Sequence, residues 1–297
     1  MLNFKAITLD DREIIDEHIK ASDFKSCDYS FVNNFIWSKP NNIEFAIVEG
    51  FYCLKSVFKN EALYTFPAGN GNLQTVINSL LLDAKERNTT FGLRGIPADK
   101  VLEIEGLFPG TFDFTSNRDE SDYIYSVASL TSLSGKKYQS KRNHIARFKD
   151  NPNWSYEDIA QENIDECIEM NNEWCKKYVC YDDINLKHEL CAVKTAFAHF
   201  FDLGLTGGLI RQDGKVVAFT MGEPLSSDTY VVHIEKAFAE IQGAYPMINR
   251  EFLAHNCQSF QYVNREEDMG DEGLRKTKLS YHPEILLEKF TAAMKKG

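Results

Sequence analysis

The residues best suited to chemistry lie between Asn264 and Pro283, in the segment NREEDMGDEGLRKTKLSYHP. These twenty residues hold carboxylates, guanidinium groups, amines, a phenol and an imidazole, and they directly follow an apolar strand pattern. Gly270, Gly273 and the terminal proline argue against one uninterrupted helix. Ionisable side chains of both signs at a strand end are typical of a polar binding site in an α/β protein, where ligands bind beyond the strands.

A second group of ionisable residues lies inside a predicted strand, YVVHIEKAF. Because side chains alternate along a strand, His233 and Glu235 are expected on one face. Ile234 and Lys236 would then face the other way. Charged groups in a central strand are costly unless they are paired or solvated, so they indicate a functional site. The alternative is an internal ion pair, Glu235 with Lys236 or with Arg265, that only holds the sheet together.

A basic segment stands out in an otherwise acidic chain. GKKYQSKRNHIARFK has six lysines or arginines and no acid. Tyr138, Ile145 and Phe148 recur at helical spacing, so the charges would lie on the outer face of an amphipathic helix. This helix is either a solvated element near a domain junction or a landing site for a phosphate-bearing partner. The residues expected to contact a transfer RNA or another phosphate are Lys136, Lys137, Lys141, Arg142 and Arg147.

A glycine turn follows the charged strand, in AEIQGAYPMINREF. It opens a helix predicted over residues 246–257, and Pro246 fits the first turn because the first amides have no intrahelical partner. Free amides at this positive helix end can hold a phosphate or a carboxylate. Gln242, Gly243 and Ala244 are therefore the candidate cofactor-binding residues, although an ordinary helix start explains the same pattern.

Length and composition indicate a folded protein with room for two domains. The chain has 297 residues, of which 43% are hydrophobic. No apolar run approaches the roughly 20 residues that cross a bilayer, and the acidic, amphipathic N-terminus is unlike a signal peptide, so a cytoplasmic location is expected. The net charge of −11 repels phosphate backbones outside the basic segment.

Seven cysteines with scattered spacing indicate reduced thiols rather than a disulfide framework. One group has the residue types of a zinc site, namely Cys167, Cys175, Cys180, His188 and Cys191. It contains no CxxC pair and shows helical apolar periodicity, so no metal site is predicted.

The same order of elements occurs twice along the chain. In each half, two helices precede antiparallel strands, and a strand, a helix and a returning strand follow. Asp213-Gly214 lies 164 positions after Glu49-Gly50, and Arg265 lies 171 after Arg94. A duplicated α/β unit explains this order. The third strand of the first copy, ALYTF, is neutral, whereas its counterpart YVVHIEKAF is charged. The site is therefore expected in the second copy.

This order of elements resembles the fold of the GNAT-type N-acetyltransferases, here in tandem. The predicted class is α/β (α+β), with two domains that each have a mixed, mostly antiparallel sheet flanked by helices. The N-terminal domain is expected at residues 1–126, a linker with the basic helix at 127–154, and the C-terminal domain with the site at 155–297.

The chain also resembles the family defined by the C-terminal catalytic domain of phosphatidylglycerol lysyltransferases, in the segments GKKYQSKRNHIARF, AFTMGE, HIEKAFAEIQGAYPMIN and YVNREEDMGDEGLRKTKLSYHP. The resemblance covers nearly the whole chain. That family is similar in fold to the Fem peptidyltransferases, which take amino acids from aminoacyl-tRNA. The resemblance implies transfer of an acyl or aminoacyl group to an amine or hydroxyl acceptor, such as a small molecule or a lipid head group.

Aminoacyl transfer from an ester needs a general base, a group that stabilises the oxyanion, and an acid for the leaving oxygen. Glu235 or His233 is the candidate base. Tyr281 or His282 is the candidate acid. Arg265 is the candidate for stabilising negative charge.

Further residues of the charged segments would orient these groups or hold the amine of an aminoacyl moiety. The substrate-binding candidates are Lys236, Glu266, Asp268, Arg275, Lys278 and His282. Of these, Lys236 or Lys278 would assist Arg265. The structural alternative is a buried network of Arg265, Asp268 and Arg275 that only anchors the last strand, over residues 285–292.

Three functions of different classes remain open from the sequence. The first is an aminoacyltransferase that uses aminoacyl-tRNA. The second is an acyl-coenzyme A dependent N-acyltransferase, for which Gln242-Gly243-Ala244 resembles part of the pyrophosphate loop Q/R-x-x-G-x-G/A of acetyltransferases. The third is a non-catalytic module that binds a small molecule.

Overall fold

The computed structural model describes residues 1–178 and 184–295. The α-helices are α1 (Arg12–Ser22), α2 (Phe31–Asn41), α3 (Leu73–Glu86), α4 (Ala98–Leu107), α5 (Val127–Ser132), α6 (Gln139–Lys149), α7 (Ile164–Lys177), α8 (Ile184–Ala198), α9 (Ala244–Asn256) and α10 (Glu272–Leu279). The strands are β1 (Lys5–Ala6), β2 (Glu44–Val48), β3 (Phe51–Phe58), β4 (Glu61–Thr65), β5 (Ala68–Gly69), β6 (Thr90–Pro97), β7 (Phe112–Ser116), β8 (Asp122–Ser126), β9 (Trp154–Asp158), β10 (Thr206–Gln212), β11 (Lys215–Pro224), β12 (Thr229–Ala237), β13 (Tyr262–Asn264), β14 (Ile285–Leu287) and β15 (Lys289–Met294).

The chain divides into two compact units, and neither is continuous in sequence. Unit 1 comprises Met1–Asp122, Glu267–Arg275 and the chain from Leu286 onward. Unit 2 comprises Tyr123–Glu266 and Lys276–Ile285. These units differ from the contiguous domains expected at residues 1–126 and 155–297.

The sheet of unit 1 has the order β1-β2-β3-β4-β6-β15-β7, and β5 pairs with β3. All of its pairings are antiparallel except that of β4 with β6, which α3 connects. Its core packs the apolar face of α3 on the central strands, with Ile77, Leu80, Tyr64 and Leu93 fully buried. The last strand of the chain, β15, completes this sheet between β6 and β7.

The sheet of unit 2 has the order β14-β8-β13-β12-β11-β10-β9. Here β12 and β13 are the parallel pair, and α9 connects them. The core is formed by the apolar face of α9 against these strands and includes Tyr230, Ile248, Phe252 and Val263. The expectation of two mixed, mostly antiparallel sheets flanked by helices is confirmed.

Two tight hairpins have the expected turn chemistry. Glu49-Gly50 joins β2 to β3, and Asp213-Gly214 joins β10 to β11. Each turn residue has a positive φ, between 49° and 82°. Two-residue loops of this kind match the right-handed twist of the strands, and a glycine at the second position adopts the required φ without a steric cost.

The segment 127–154, expected to be a linker, forms part of the packed interior of unit 2. Leu130 on α5 and Ile145 and Phe148 on α6 lie in its hydrophobic core. Tyr138, just before α6, is also buried there. The apolar periodicity of the basic segment therefore serves packing, as the amphipathic pattern indicated.

The C-terminal strand expected over residues 285–292 is two strands, β14 and β15, separated at Glu288. Periodicity identified extended structure in this segment, but β15 adds to the sheet of unit 1 rather than to the sheet of the second copy. Among residues 1–178 and 184–295, no helix has the length and apolar content that a membrane span requires.

Candidate functional site

The candidate site lies where the two parallel strands of unit 2 cease to pair. β12 and β13 are paired from Thr229 to Val231 on one strand and from Tyr262 to Asn264 on the other. β12 then continues to Ala237 without this neighbour. The side chains beyond the pairing lie at the carboxyl ends of both strands, the position at which α/β sheets bind ligands.

Glu235 and Arg265 meet at this position. Arg265 Nη2 donates to Glu235 Oε1 over 2.7 Å, and Asn249 Nδ2 on α9 donates to Glu235 Oε2 over 3.2 Å. The side chains of Glu235 and Arg265 are 11% and 10% exposed. Arg265 Nη1 is buried and has no hydrogen-bond partner. The pair therefore retains one unsatisfied donor of a charged group inside unit 2.

The backbone at Arg265 is fixed from two sides. Arg265 N donates to the carbonyl of Tyr123 on β8 over 2.9 Å. The buried ammonium of Lys278 donates to the carbonyl of Arg265 over 2.6 Å. The carbonyl of Lys278 in turn accepts from the hydroxyl of Tyr125 over 2.9 Å. Lys278 thus helps to hold the backbone of Arg265 in place.

Two buried tyrosines and a lysine surround the guanidinium. Arg265 Cζ lies 4.9 Å from the ring centroid of Tyr281 and 5.8 Å from that of Tyr125. Lys141 Nζ lies 3.8 Å from the centroid of the same Tyr281 ring and 2.7 Å from Ser280 Oγ. Burial and the nearby charge of Arg265 lower the pKa of Lys141 to about 8. Burial raises the pKa of Tyr281, so its hydroxyl stays protonated at neutral pH.

His233 lies in a different environment from Glu235. Its Nδ1 is 2.8 Å from Glu266 Oε1 and its Nε2 is 3.5 Å from Glu223 Oε1. Burial alone would lower the pKa of His233, but the hydrogen bonds to Glu223 and Glu266 outweigh it and raise the pKa to about 9. At neutral pH His233 is therefore a cation between two carboxylates, which does not suit the role of a general base.

The expectation that His233 and Glu235 share a face does not hold, because β12 contains a β-bulge. Met221 and Gly222 on β11 pair with Ile234 and Val232, so His233 is the extra residue at the register shift. An extra residue of this kind breaks the alternation of side chains. Glu235 contacts Asn249 on α9 and His233 contacts Glu223, so the structure does not bring the two together.

Lys236 and His282 also lie apart from the Glu235 and Arg265 pair. Lys236 Nζ lies 3.8 Å from the ring centroid of Trp174 on α7 and forms an ion pair with Glu189 at 2.5 Å. His282 is exposed, and its ring packs edge-on against Tyr138. Neither side chain assists Arg265 in the described structure.

Asp268 and Arg275 belong to unit 1, where they form a network of their own. Arg275 donates from Nε and Nη2 to the two oxygens of Asp268, over 2.9 and 2.7 Å, and from Nη2 to Asp119 over 2.6 Å. Arg118 also contacts Asp268, at 3.4 Å. The structural alternative considered for these residues, a buried ionic network, describes Asp268 and Arg275, but Arg265 is not part of it.

The turn Gln242-Gly243-Ala244 packs against the basic helix. Gly243 has a φ of +88°, and a Cβ at this position would lie 2.2 Å from the carbonyl oxygen of His144 on α6. The glycine is thus required by a close approach of two backbones. The close approach explains the glycine at this position without any binding of a pyrophosphate group.

The five basic candidates of the α6 segment separate into three groups. Lys136, Lys137 and Arg147 line a shallow surface concavity of about 470 Å³, together with Gln139, Ser140, Asn143 and His144. Arg142 Nη1 donates to the carbonyls of Leu133 and Gly135, so it holds the preceding loop. Lys141 instead reaches inward to Tyr281. One helix therefore carries a basic surface and also contributes a side chain to the candidate site.

One group of potential metal ligands occurs within residues 1–178 and 184–295, formed by Cys27, Asp122 and Glu267 of unit 1. The ammonium of Lys289 lies 3.0 Å from Asp122 and 3.1 Å from Asp28, and it also bonds to Glu267. This cation already neutralises the carboxylates that a metal would need, so the group does not fit a metal site.

Within residues 1–178 and 184–295, the cysteines and the histidine singled out in the sequence do not form such a group. Burial raises the pKa of Cys167 to about 12, and Cys175 is also buried. Cys191 is exposed. Cys180 lies outside the described residues.

Sequence reasoning did not identify the roles of Asn249, Tyr125 and Lys141 in the site. Asn249 is a polar residue within an apolar stretch of α9, and this is the sequence feature that could have indicated its role. Its side chain is buried, with 2% of the residue exposed. No pattern in the basic segment separates Lys141 from its neighbours, because its inward direction depends on where residues 280 and 281 fold back on α6.

Comparison with known proteins places the chain in one family. The family model described as "Phosphatidylglycerol lysyltransferase, C-terminal" matches residues 20–293. A conserved protein of unknown function from Bacteroides thetaiotaomicron VPI-5482 is 41% identical, with a TM-score of 0.95, and the match covers 99% of this chain and 100% of the other. An uncharacterised protein of Mycoplasmoides gallisepticum is 21% identical over 182 residues, which are 59% of this chain and 56% of that protein's length.

More distant structures show the same fold. FemX is 10% identical with a TM-score of 0.58, and the match covers 97% of each chain. A tandem GNAT protein from the clavulanic acid biosynthesis pathway is 8% identical with a TM-score of 0.50, over 99% of this chain and 98% of the other. The expectation of a tandem GNAT-like fold related to the Fem proteins is confirmed.

Proposed function

Since the chain belongs to the family of the phosphatidylglycerol lysyltransferase C-terminal domain, we propose that it transfers an aminoacyl group from aminoacyl-tRNA to an amine or hydroxyl acceptor. The observation that carries the proposal is the Glu235 and Arg265 pair with its unsatisfied Arg265 Nη1, beyond the paired ends of β12 and β13.

Glu235 is the proposed base. Its carboxylate is oriented by Arg265 and Asn249, one on each oxygen, and a carboxylate held in this way can accept the proton of an attacking amine or hydroxyl. The nucleophile then forms a bond to the ester carbonyl carbon of the aminoacyl group.

Arg265 is the proposed stabiliser of the oxyanion that forms on the carbonyl oxygen. A preorganised donor in a site that excludes water is the most effective form of such stabilisation. Nη2 holds Glu235, whereas Nη1 is free to donate to the oxyanion. Collapse of the intermediate breaks the bond to the ribose oxygen, which takes a proton. Tyr281, whose hydroxyl is protonated and whose ring lies against Arg265, is the proposed acid.

The basic surface of α6 supports a transfer RNA as the donor. Lys136, Lys137 and Arg147 line a concavity of a size and charge that suit a phosphate backbone. Lys141, on the same helix, reaches Tyr281. A bound RNA backbone on the outer face of α6 would therefore bring its esterified end toward residues of the site.

The donor is tested by thermal unfolding with three additives at equal ionic strength: aminoacyl-tRNA, the same tRNA without its amino acid, and acetyl-coenzyme A. A ligand that binds the native state raises the unfolding midpoint. We expect aminoacyl-tRNA to give the largest rise. A rise with acetyl-coenzyme A alone would favour an acyl-coenzyme A dependent N-acyltransferase. Binding without transfer to any amine or hydroxyl acceptor would favour a binding module.

A further inference from the structure

Lys141 is a half-buried lysine whose ammonium turns into unit 2. Its Nζ lies over the Tyr281 ring at 3.8 Å and bonds to the neutral hydroxyl of Ser280 at 2.7 Å. Among the described residues, no carboxylate forms an ion pair with it within 4.0 Å. A lysine on a helix surface ordinarily extends its charge into water. The ammonium of Lys141 is instead partly removed from water and has no ion-pair partner in the described part of the chain to compensate.

Arg265, beside the same ring, has a hydrogen-bond donor that is not satisfied. Its side chain is nine-tenths buried, and Nη1 is a donor of a charged group that has no hydrogen-bond partner. A buried polar group in this state is costly and is ordinarily satisfied by the protein, by water or by a ligand. Glu235 occupies Nη2 and does not extend to Nη1.

The charged groups near Tyr281 include two cations. The charged side chains that act on Lys141 are Arg265, which lowers its pKa, and Glu235, which raises it. Lys141 and Arg265 thus lie beside the Tyr281 ring with one carboxylate, Glu235, acting on both. These two cations, with an unfilled donor on each, are complementary to a singly charged group that carries several acceptor oxygens.

We propose that Lys141 and Arg265 bind a small oxyanion, the carboxylate or phosphate group of a substrate, beside the ring of Tyr281. The proposal deepens the function proposed above, on which it rests for the identification of the ligand as a substrate. It concerns recognition: the oxyanion would hold a substrate next to Glu235 and is not itself changed. Because Arg265 Nη1 carries two N–H groups, one can bind this oxyanion while the other donates to the oxyanion of the intermediate. Lys141 is therefore a positioning and specificity residue.

The test is the binding of two probes, inorganic phosphate and acetate, to the full chain, measured as the rise in unfolding midpoint during titration. Sodium chloride keeps the ionic strength constant and is also the blank. Lys141→Met retains the aliphatic stem over Tyr281 and removes the charge. The matched control is Lys187→Met/Lys194→Met, which removes two charges from exposed positions of α8.

We expect at least one probe to stabilise the wild type beyond chloride. Loss of one charge-assisted hydrogen bond should weaken that binding about tenfold in Lys141→Met. The control should bind as the wild type does. A response to phosphate alone identifies a phosphate-bearing substrate, and a response to acetate alone identifies a carboxylate.

Three results would overturn the proposal: no stabilisation of the wild type beyond chloride, unchanged binding in Lys141→Met, or an equal loss in the Lys187→Met/Lys194→Met control. The readout does not require turnover. Oxyanion binding without aminoacyl transfer would therefore contradict the proposed function alone, and transfer without oxyanion binding would contradict this inference alone.

Discussion

The two terminal nitrogens of Arg265 differ in their contacts. Nη2 donates to the carboxylate of Glu235 over 2.7 Å, whereas Nη1 is buried and has no hydrogen-bond partner among the described residues. Asn249 bonds to the other carboxylate oxygen at 3.2 Å. An ion pair that served only to hold the sheet would be expected to satisfy both nitrogens. The proposed role of this pair rests on the free donor.

His233 should make the stability of the protein fall in alkaline solution. Its pKa rises from an ordinary value near 6.5 to about 9 in the folded protein. The folded state therefore binds the proton more tightly, and this contribution, as much as about 3 kcal/mol, is complete below pH 6.5 and is lost as the pH rises through 9. Urea unfolding between pH 6 and 10 measures it.

The comparison with His233→Gln isolates the histidine. Burial raises the pKa of Glu267 to about 8, and the pKa of Lys141 is lowered to about 8, so both groups also titrate in this range. They are present in both proteins, and their effects cancel in the difference. Parallel stability curves for the two proteins would show that His233 is not held between the carboxylates as described.

Lys289→Met should destabilise the protein strongly. The side chain of Lys289 is 5% exposed, and its ammonium contacts the carboxylates of Asp28 and Asp122 and the carboxyl group of Glu267. Its removal leaves buried negative charges without compensation, at a cost of about 3–5 kcal/mol. Urea unfolding should show this loss, whereas Lys100→Met, in an exposed ion pair with Glu103, should change the free energy of unfolding by less than about 1 kcal/mol. Similar values for both variants would contradict the account of the cluster.

Gly243→Ala should cost more than Gly214→Ala, although both glycines have a similar positive φ. A Cβ at Gly243 would lie 2.2 Å from the carbonyl of His144, whereas a Cβ at Gly214 would meet nothing within 4 Å. Gly214→Ala should therefore show only the conformational cost, about 1 kcal/mol. Gly243→Ala should in addition displace α6. This displacement would be measured as faster hydrogen exchange of the α6 amides. Equal destabilisation would mean that the turn does not support α6.

Removal of the outer basic side chains should weaken RNA binding and make its affinity less dependent on salt concentration. Each phosphate contact contributes about 0.7–0.9 to the slope of log K against log salt concentration. Lys136→Ala/Lys137→Ala/Arg147→Ala should reduce the slope for transfer RNA by about 2. The control Lys187→Ala/Lys194→Ala changes two exposed lysines of α8 and should leave the slope unchanged. The RNA surface would have to be sought elsewhere if both variants behaved alike.

Local patterns were sufficient to predict much of the fold. Asp213-Gly214 forms its hairpin because the turn chemistry acts between adjacent residues. The apolar stripe of α9 and the strands on either side of it follow from periodicity. Strand periodicity also found extended structure near the C-terminus, but it could not indicate that β15 joins the sheet of unit 1, since strand partners depend on tertiary contacts.

The sequence indicated part of the geometry at the candidate site. Glu235 and Arg265 meet as the strand and the segment after it suggested. The bulge at His233 does not follow from the sequence, because one extra residue in a strand leaves no mark in the alternation of residue types. Lys141 was grouped with the phosphate contacts, because a helical pattern shows which face is polar but not which polar residue meets a neighbouring segment.

The central claim is tested most directly by single-turnover transfer from radiolabelled aminoacyl-tRNA to a mixture of amine and hydroxyl acceptors, with Glu235→Gln compared with wild type at a temperature where both are folded. Loss of a general base should slow transfer by about 10²–10⁴-fold. Glu240→Gln, which changes an exposed carboxylate paired with Lys177, should transfer at the wild-type rate. Wild-type transfer by Glu235→Gln, or no transfer by the wild type itself, would contradict the account.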